Sequence, residues 1–104
     1  MKLERDVEQA LTRGVKKLGL MCVKFVPDQE AGMPDRLILL PEQRCVWVEL
    51  KKDDGVISPL QSYQHKVLRE YGHRVVVLRN KKDVEVFLSE LAQEKNQPVD
   101  YERD

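Results

Sequence analysis

Val46-Trp47-Val48-Glu49-Leu50-Lys51 is a β-strand pattern that ends in a carboxylate and an ammonium. Side chains alternate faces along a strand, so Val46, Val48 and Leu50 point one way while Trp47, Glu49 and Lys51 point the other. Glu49 and Lys51 are therefore neighbours at the exit of an otherwise apolar strand, where buried charges need a partner or a chemical task. Upstream, Arg36–Leu40 is a second short apolar run, separated from Cys45–Leu50 by Pro41-Glu42-Gln43-Arg44. Two such runs with a short connection predict a β-hairpin. Its register brings Asp35, at the entrance of the first strand, beside the Glu49 end of the second.

Outward from this hairpin the chain is organised by apolar spacing. Leu3, Val7, Ala10, Leu11 and Leu18 recur at helical steps, and Gly19 offers a stop. Leu20–Val26 reads as a strand that runs into Pro27-Asp28 and a loop carrying Gly32 and Pro34. After the charged run Lys51–Asp54 and Gly55, Ser58 is an N-cap with Pro59 at the first helical position. Leu60, Tyr63, Val67, Leu68 and Tyr71 form the apolar stripe of this second helix, which Gly72 closes. Val75–Leu78 is too short for a helix and reads as a fully buried central strand. Asn80 caps a last helix with Val84, Phe87, Leu88 and Leu91 inward, and from Ala92 the chain turns polar, with Pro98 and fraying at the end. The order is one helix, three strands, helix, strand, helix: a mixed α/β sandwich around a sheet. A length of 104 residues holds one such domain, taken as residues 1–95, with a polar tail at 96–104.

Eighteen basic and eighteen acidic residues cancel, which taken alone argues against a polyanionic partner. Their distribution points the other way. Gln61–Lys82 carries six Lys and Arg (Lys66, Arg69, Arg74, Arg79, Lys81, Lys82) against Glu70, whereas Asp83–Asp104 carries seven acids against Lys95 and Arg103. A basic block followed by an acidic tail can mark a polyanion-binding face, and equally an ordinary solvated surface. Cys22 and Cys45 lie in apolar runs and read as buried free thiols in a reducing compartment. No apolar run approaches the ~20 residues that span a bilayer, and no secretory leader is visible. A soluble cytoplasmic protein is expected.

Two carboxylates at a strand end suit a hard divalent cation such as Mg²⁺, which keeps several waters and takes few protein carboxylates alongside phosphate oxygens. The Leu50 carbonyl could add a backbone oxygen. Such an ion orients a phosphodiester, stabilises its negative charge and lowers the pKa of a bound water. Lys51 would hold that water or neutralise developing charge.

Gly32-Met33-Pro34-Asp35, then Glu49-Leu50-Lys51, then Ser58-Pro59-Leu60-Gln61 resembles the VRR-NUC domain of the PD-(D/E)xK nuclease superfamily, across residues 3 to about 92. The resemblance implies a restriction-endonuclease-like αβββαβα sandwich, its mixed central sheet flanked by helices. It also implies that Asp35 and Glu49 bind Mg²⁺ or Mn²⁺, that Lys51 is catalytic, and that a glutamine of the next helix supports the site. Gln61 fits the motif best, and Gln64, three residues on, is the alternative. Family members use a first-helix glutamate as a further metal ligand. Here Glu8 is the better candidate, flanking the buried stripe and forming with Glu4 a like-charge pair that a nearby cation would relieve.

Stand-alone members of the family, of viral and phage type, resemble resolvases of branched DNA such as Holliday junctions. The resemblance thus implies a homodimeric DNA endonuclease in the cytoplasm of a bacterial or phage-infected cell, selecting DNA by shape. A flap, restriction or repair nuclease would share the chemistry, and a non-catalytic DNA-binding module would share the fold, although intact Asp35, Glu49 and Lys51 argue against the latter. Gly32 serves a turn or lets a phosphate backbone approach. His65 and His73 read as surface histidines, Trp47 as a core or interface aromatic, and Lys66, Arg69 and Lys82 as phosphate contacts or solubilising charges.

Overall fold

Val7, Leu11 and Val15 recur every four residues and are almost wholly buried, so Glu4–Lys17 forms a helix, α1, with one face turned inward. The structure is a computed structural model that describes residues 4–24 and 31–95. The expected helix start at Leu3, the strand end at Phe25 and Val26 with its Pro27-Asp28 turn, and the polar tail at 96–104 lie outside the described residues. After α1 come β1 (Met21–Lys24), β2 (Arg36–Leu40), β3 (Arg44–Leu50), α2 (Pro59–Glu70), β4 (Arg74–Leu78) and α3 (Lys81–Lys95). This is the expected αβββαβα order.

The four strands form one sheet in the order β1-β2-β3-β4. β1 and β2 are antiparallel, as are β2 and β3, while β3 and β4 are parallel because the α2 crossover returns the chain in the same direction. Ile38, Leu40, Val46, Val48, Leu50 and Leu78 meet Val7, Leu11 and Val15 of α1 and Val84, Phe87 and Leu91 of α3 in one core. Each fully buried Leu or Val there contributes about 1.5–3 kcal/mol. α1 and α3 thus cover one face of the sheet and α2 the other. No helix among the described residues is long and apolar enough to cross a membrane.

Three expectations are corrected. The hairpin connection is Pro41–Gln43, one residue shorter than expected, because Arg44 already pairs with Leu40. Glu42 and Gln43 make the turn with φ of 64° and 65°. β4 is an edge strand and not a central one. Its apolar letters come from cover on both faces: Leu78 joins the core under α1 and α3, while Val75, opposite Trp47 in the ladder, is buried on the α2 side. The chain then leaves the sheet for α3, which packs on α1, and no further strand follows among the described residues.

The third correction concerns α2, where Leu60, Tyr63 and Tyr71 are exposed. The inward residues are instead Gln61, His65 and Leu68, at steps of four and three. Polar residues face in because the sheet surface beneath them carries Glu49.

Gly32 serves a turn of the loop before β2. Its φ is +88°, and an added Cβ would lie 3.0 Å from the Leu60 backbone. Gln64 ties the same loop to α2 by donating to the Ala31 carbonyl at 3.2 Å. The structure therefore supports the turn reading of Gly32, with the close approach made by α2. Gly32→Ala is expected to lose about 1–3 kcal/mol of unfolding free energy in urea titration, from left-handed backbone plus the Leu60 contact. A loss under about 0.5 kcal/mol, the range of an ordinary surface change, would refute this account.

Candidate active site

Glu49 lies on the α2 side of β3 and is 7% exposed. Two side chains of α2 bracket its carboxylate: Gln61 Nε2 donates to Oε2 at 3.5 Å, and His65 Nε2 lies 3.5 Å from Oε1. Local sequence explains why Gln61 is so placed. Ser58 caps α2, its Oγ accepting from Gln61 N at 3.1 Å, while Ser58 N donates to Gln61 Oε1 at 2.9 Å. This reciprocal capping box uses the carbonyl half of Gln61 to hold the helix end and leaves the amide NH₂ for Glu49. Gln64, one turn on, is spent on the loop instead.

His65 corrects the expectation of a surface histidine, being only 3% exposed. Burial of the ring, followed by the positive charges of Arg69 and Lys51, pushes its pKa below the ordinary imidazole value. A signal for it was present in the four-residue step from Gln61, once Gln61 was known to face the sheet. His73 is exposed as expected, stands edge-on to Trp47 at 6.4 Å, and has Nδ1 3.7 Å from Cys45 Sγ. Cys22 and Cys45 are free thiols, but half-buried and not fully buried. Burial and the Asp35 charge push the Cys22 thiol up.

Asp35 precedes β2, and the pairing of Arg36 with Val48 brings it level with Glu49 across the ladder. It lines a cleft of about 270 Å³ together with Arg5, Glu8 and Leu50. Glu8 lines this cleft from α1 and is half-buried. Its carboxylate, however, is ion-paired with Arg36, the first residue of β2. Arg36 is 4% exposed; its Nη1 lies 3.9 Å from Asp35 Oδ2 and donates to the Asp35 carbonyl at 3.3 Å. Burial pushes its guanidinium below the usual pKa. Strand alternation sets Arg36 on the buried face with Ile38 and Leu40, and the position of α1 supplies its partner.

Lys51 leaves β3 with its N–H bonded to the Leu78 carbonyl at 3.0 Å. The loop that follows is held by Arg79, whose Nη1 donates to the carbonyls of Lys52 at 3.0 Å and Gly55 at 2.6 Å. Asn80 Nδ2 adds a bond to Asp53 Oδ1 at 2.8 Å. The basic block is thus partly structural. Arg69 donates to the Val75 carbonyl at 3.0 Å and Arg74 pairs with Glu94 at 2.5 Å, so these and Arg79 are engaged internally. Lys66, Lys81 and Lys82 remain exposed to solvent.

The carboxylates of Glu8, Asp35 and Glu49 and the Leu50 carbonyl are all hard oxygen donors, which fit Mg²⁺ or Mn²⁺ better than a thiophilic metal. Glu8, Asp35 and Leu50 share the cleft, while Glu49 is turned toward α2. Among the described residues no three His, Cys, Asp or Glu side chains are gathered into a ready cage.

A mixed four-stranded sheet between helices, with Asp35 entering one strand and Glu49 and Lys51 leaving the next, defines the class: a restriction-endonuclease-like α/β protein. A solved VRR-NUC domain superposes with a TM-score of 0.76 at 26% identity, over 83% of this chain and 94% of that one. "Putative nuclease p44" of Acyrthosiphon pisum secondary endosymbiont phage 1 is 37% identical over 75 residues, 72% of this chain and 81% of that protein. No family model matches the sequence. With a relative this similar over most of both chains, and the same fold in a solved domain, the chain belongs to the VRR-NUC nuclease family.

Proposed function

We propose that this protein is a metal-dependent, structure-selective DNA endonuclease that resolves branched DNA such as Holliday junctions as a homodimer. The observation that carries the reading is the ladder register that sets Asp35 level with Glu49, two residues before Lys51, with Gln61 fixed on Glu49 by the helix cap. Bound Mg²⁺ or Mn²⁺ would supply Lewis-acid polarisation of the phosphodiester and acidify a coordinated water. Asp35, Glu49, the Leu50 carbonyl and Glu8 would hold the ion, with Glu8 shared with Arg36. Lys51 orients the attacking water and offsets charge developing on the phosphate. Gln61 keeps the Glu49 carboxylate turned to its task.

Lys66, Lys81 and Lys82 offer exposed positive charge to a DNA backbone. A domain this small leaves little surface for reading bases, which favours selection by DNA shape. Dimerisation is supported by the sheet surface that α2 leaves uncovered. There Met21, Val23 and Leu39 of β1 and β2 are exposed, 60%, 37% and 39% respectively. Two copies would also supply the paired sites that opposed cuts in a junction need.

The test is incubation of the purified protein with labelled four-way junction, flap and linear duplex, with Mg²⁺ or EDTA, alongside its sedimentation in solution. Symmetric paired cuts in the junction, dependent on Mg²⁺ and made by a dimer, are expected. Preferential cutting of the flap would replace the resolvase assignment with a flap nuclease. Binding without cleavage in any metal would overturn the enzymatic reading.

A further inference from the structure

We infer that His65 is a positioning residue that, together with Gln61, holds the Glu49 carboxylate in its metal-binding orientation. The inference rests on the reading of Glu49 as a metal ligand. A buried carboxylate has two oxygens to satisfy, and here each faces a different side chain of the same helix. Gln61 Nε2 approaches Oε2 and His65 Nε2 approaches Oε1, both at 3.5 Å. That separation is at the long edge of hydrogen bonding, but both partners of the His65 contact are more than nine-tenths buried. Its Nε2 makes no hydrogen bond among the described residues, so the approach to Oε1 is a close polar contact. A buried imidazole nitrogen without another role is costly, so its persistence beside Glu49 calls for a function.

The position of His65 argues for positioning and against direct metal contact. The imidazole stands on the α2 side, so Glu49 separates it from the strand-end donors. Gln61 and His65 are one turn apart on α2, and the capping box that seats Gln61 fixes the rotation of the helix and hence the aim of His65. Bidentate restraint of this kind removes rotamer freedom from a metal-binding carboxylate. Loss of such outer partners characteristically weakens metal affinity about 10- to 100-fold.

The experiment is Mn²⁺ titration by calorimetry, with thermal denaturation of the same samples, for wild type, His65→Phe and His65→Gln. Phenylalanine fills the ring volume without a donor, whereas glutamine restores an N–H near Oε1. The expected result is a Kd for Mn²⁺ about 10- to 100-fold weaker in His65→Phe, with most of the loss recovered in His65→Gln and the metal-free Tm of both variants close to wild type. Wild-type affinity in His65→Phe would overturn the inference, as would equal losses in both variants, which would mark the ring as packing alone. Repeating the titration with Ni²⁺ and Mg²⁺ tests direct ligation. A loss for Ni²⁺ far beyond that for Mg²⁺ would make His65 a ligand and overturn the positioning role, since imidazole favours the later transition metals. Absence of metal binding by the wild type would instead remove the reading on which this inference stands.

Discussion

Glu49→Gln is expected to lower Mn²⁺ affinity by about 100-fold or more and to reduce junction cleavage by at least about 10³-fold, without unfolding the protein. Glutamine keeps the size of the side chain but removes the charge that a divalent ion would neutralise. The wild-type carboxylate is nearly inaccessible to solvent and lies against α2. A buried anion costs desolvation energy that only part of its surroundings offsets. Replacing it by a neutral amide should therefore leave the metal-free Tm unchanged or raise it, a trade of activity against stability often seen where a site holds strained charge. Calorimetric Mn²⁺ titration, single-turnover cleavage and thermal denaturation would be measured on one preparation. A variant that cut DNA within about tenfold of wild type, well inside what loss of one stabilising interaction costs, would remove Glu49 from the chemistry.

Lys51→Ala is expected to separate the proposed chemistry from the proposed metal binding. Lys51 carries positive charge and is not expected to bind a cation, so its loss should leave Mn²⁺ affinity intact. Single-turnover cleavage should fall by about 10²- to 10⁴-fold, the usual range for a positioned proton-transfer or charge-stabilising group. The residue is half-buried and its backbone N–H, bonded to the Leu78 carbonyl, is unaffected by the substitution. Its loop is held from elsewhere, by Arg79 and Asn80. Stability should therefore shift by no more than about 0.5 kcal/mol. Junction binding in Ca²⁺, read by gel shift, should persist, which distinguishes a lost chemical step from lost DNA contact. Undiminished cleavage would falsify the assignment of Lys51, and loss of binding in parallel with cleavage would make it a DNA contact.

Arginines carry a different lesson about the proposed DNA face. Counting letters from Gln61 to Lys82 suggests a concentrated positive surface, yet Arg69, Arg74 and Arg79 spend their guanidinium groups on carbonyls and on Glu94. Lysines, with a single flexible charge, remain outward. Salt dependence of binding should accordingly follow the exposed lysines more than the arginines.

The sequence by itself determined the order of elements, because helical and strand periodicities are local. Ser58-Pro59 announced α2, Asn80 announced α3, and the alternation Val46 to Lys51 placed Glu49 and Lys51 on a face different from the core. The hairpin brought Asp35 to the same end. These features need only the stiffness of the chain over a few residues and the sign of each side chain's interaction with water.

Tertiary structure decided what that local logic could not contain. Apolar letters suggested that α2 buries Leu60, Tyr63 and Tyr71, but the helix packs over a carboxylate, so Gln61 and His65 turn inward and those apolar residues turn out. Arg36 became a buried ion-pair partner of Glu8 only because α1 lies across the entrance of β2. β4 looked central from composition and is an edge, since cover by helices on both faces calls for the same apolar residues as a strand on either side. In each case the deciding quantity is which group lies opposite in space. For a polar side chain that neighbour, more than its own polarity, determines whether burial costs energy or builds a site.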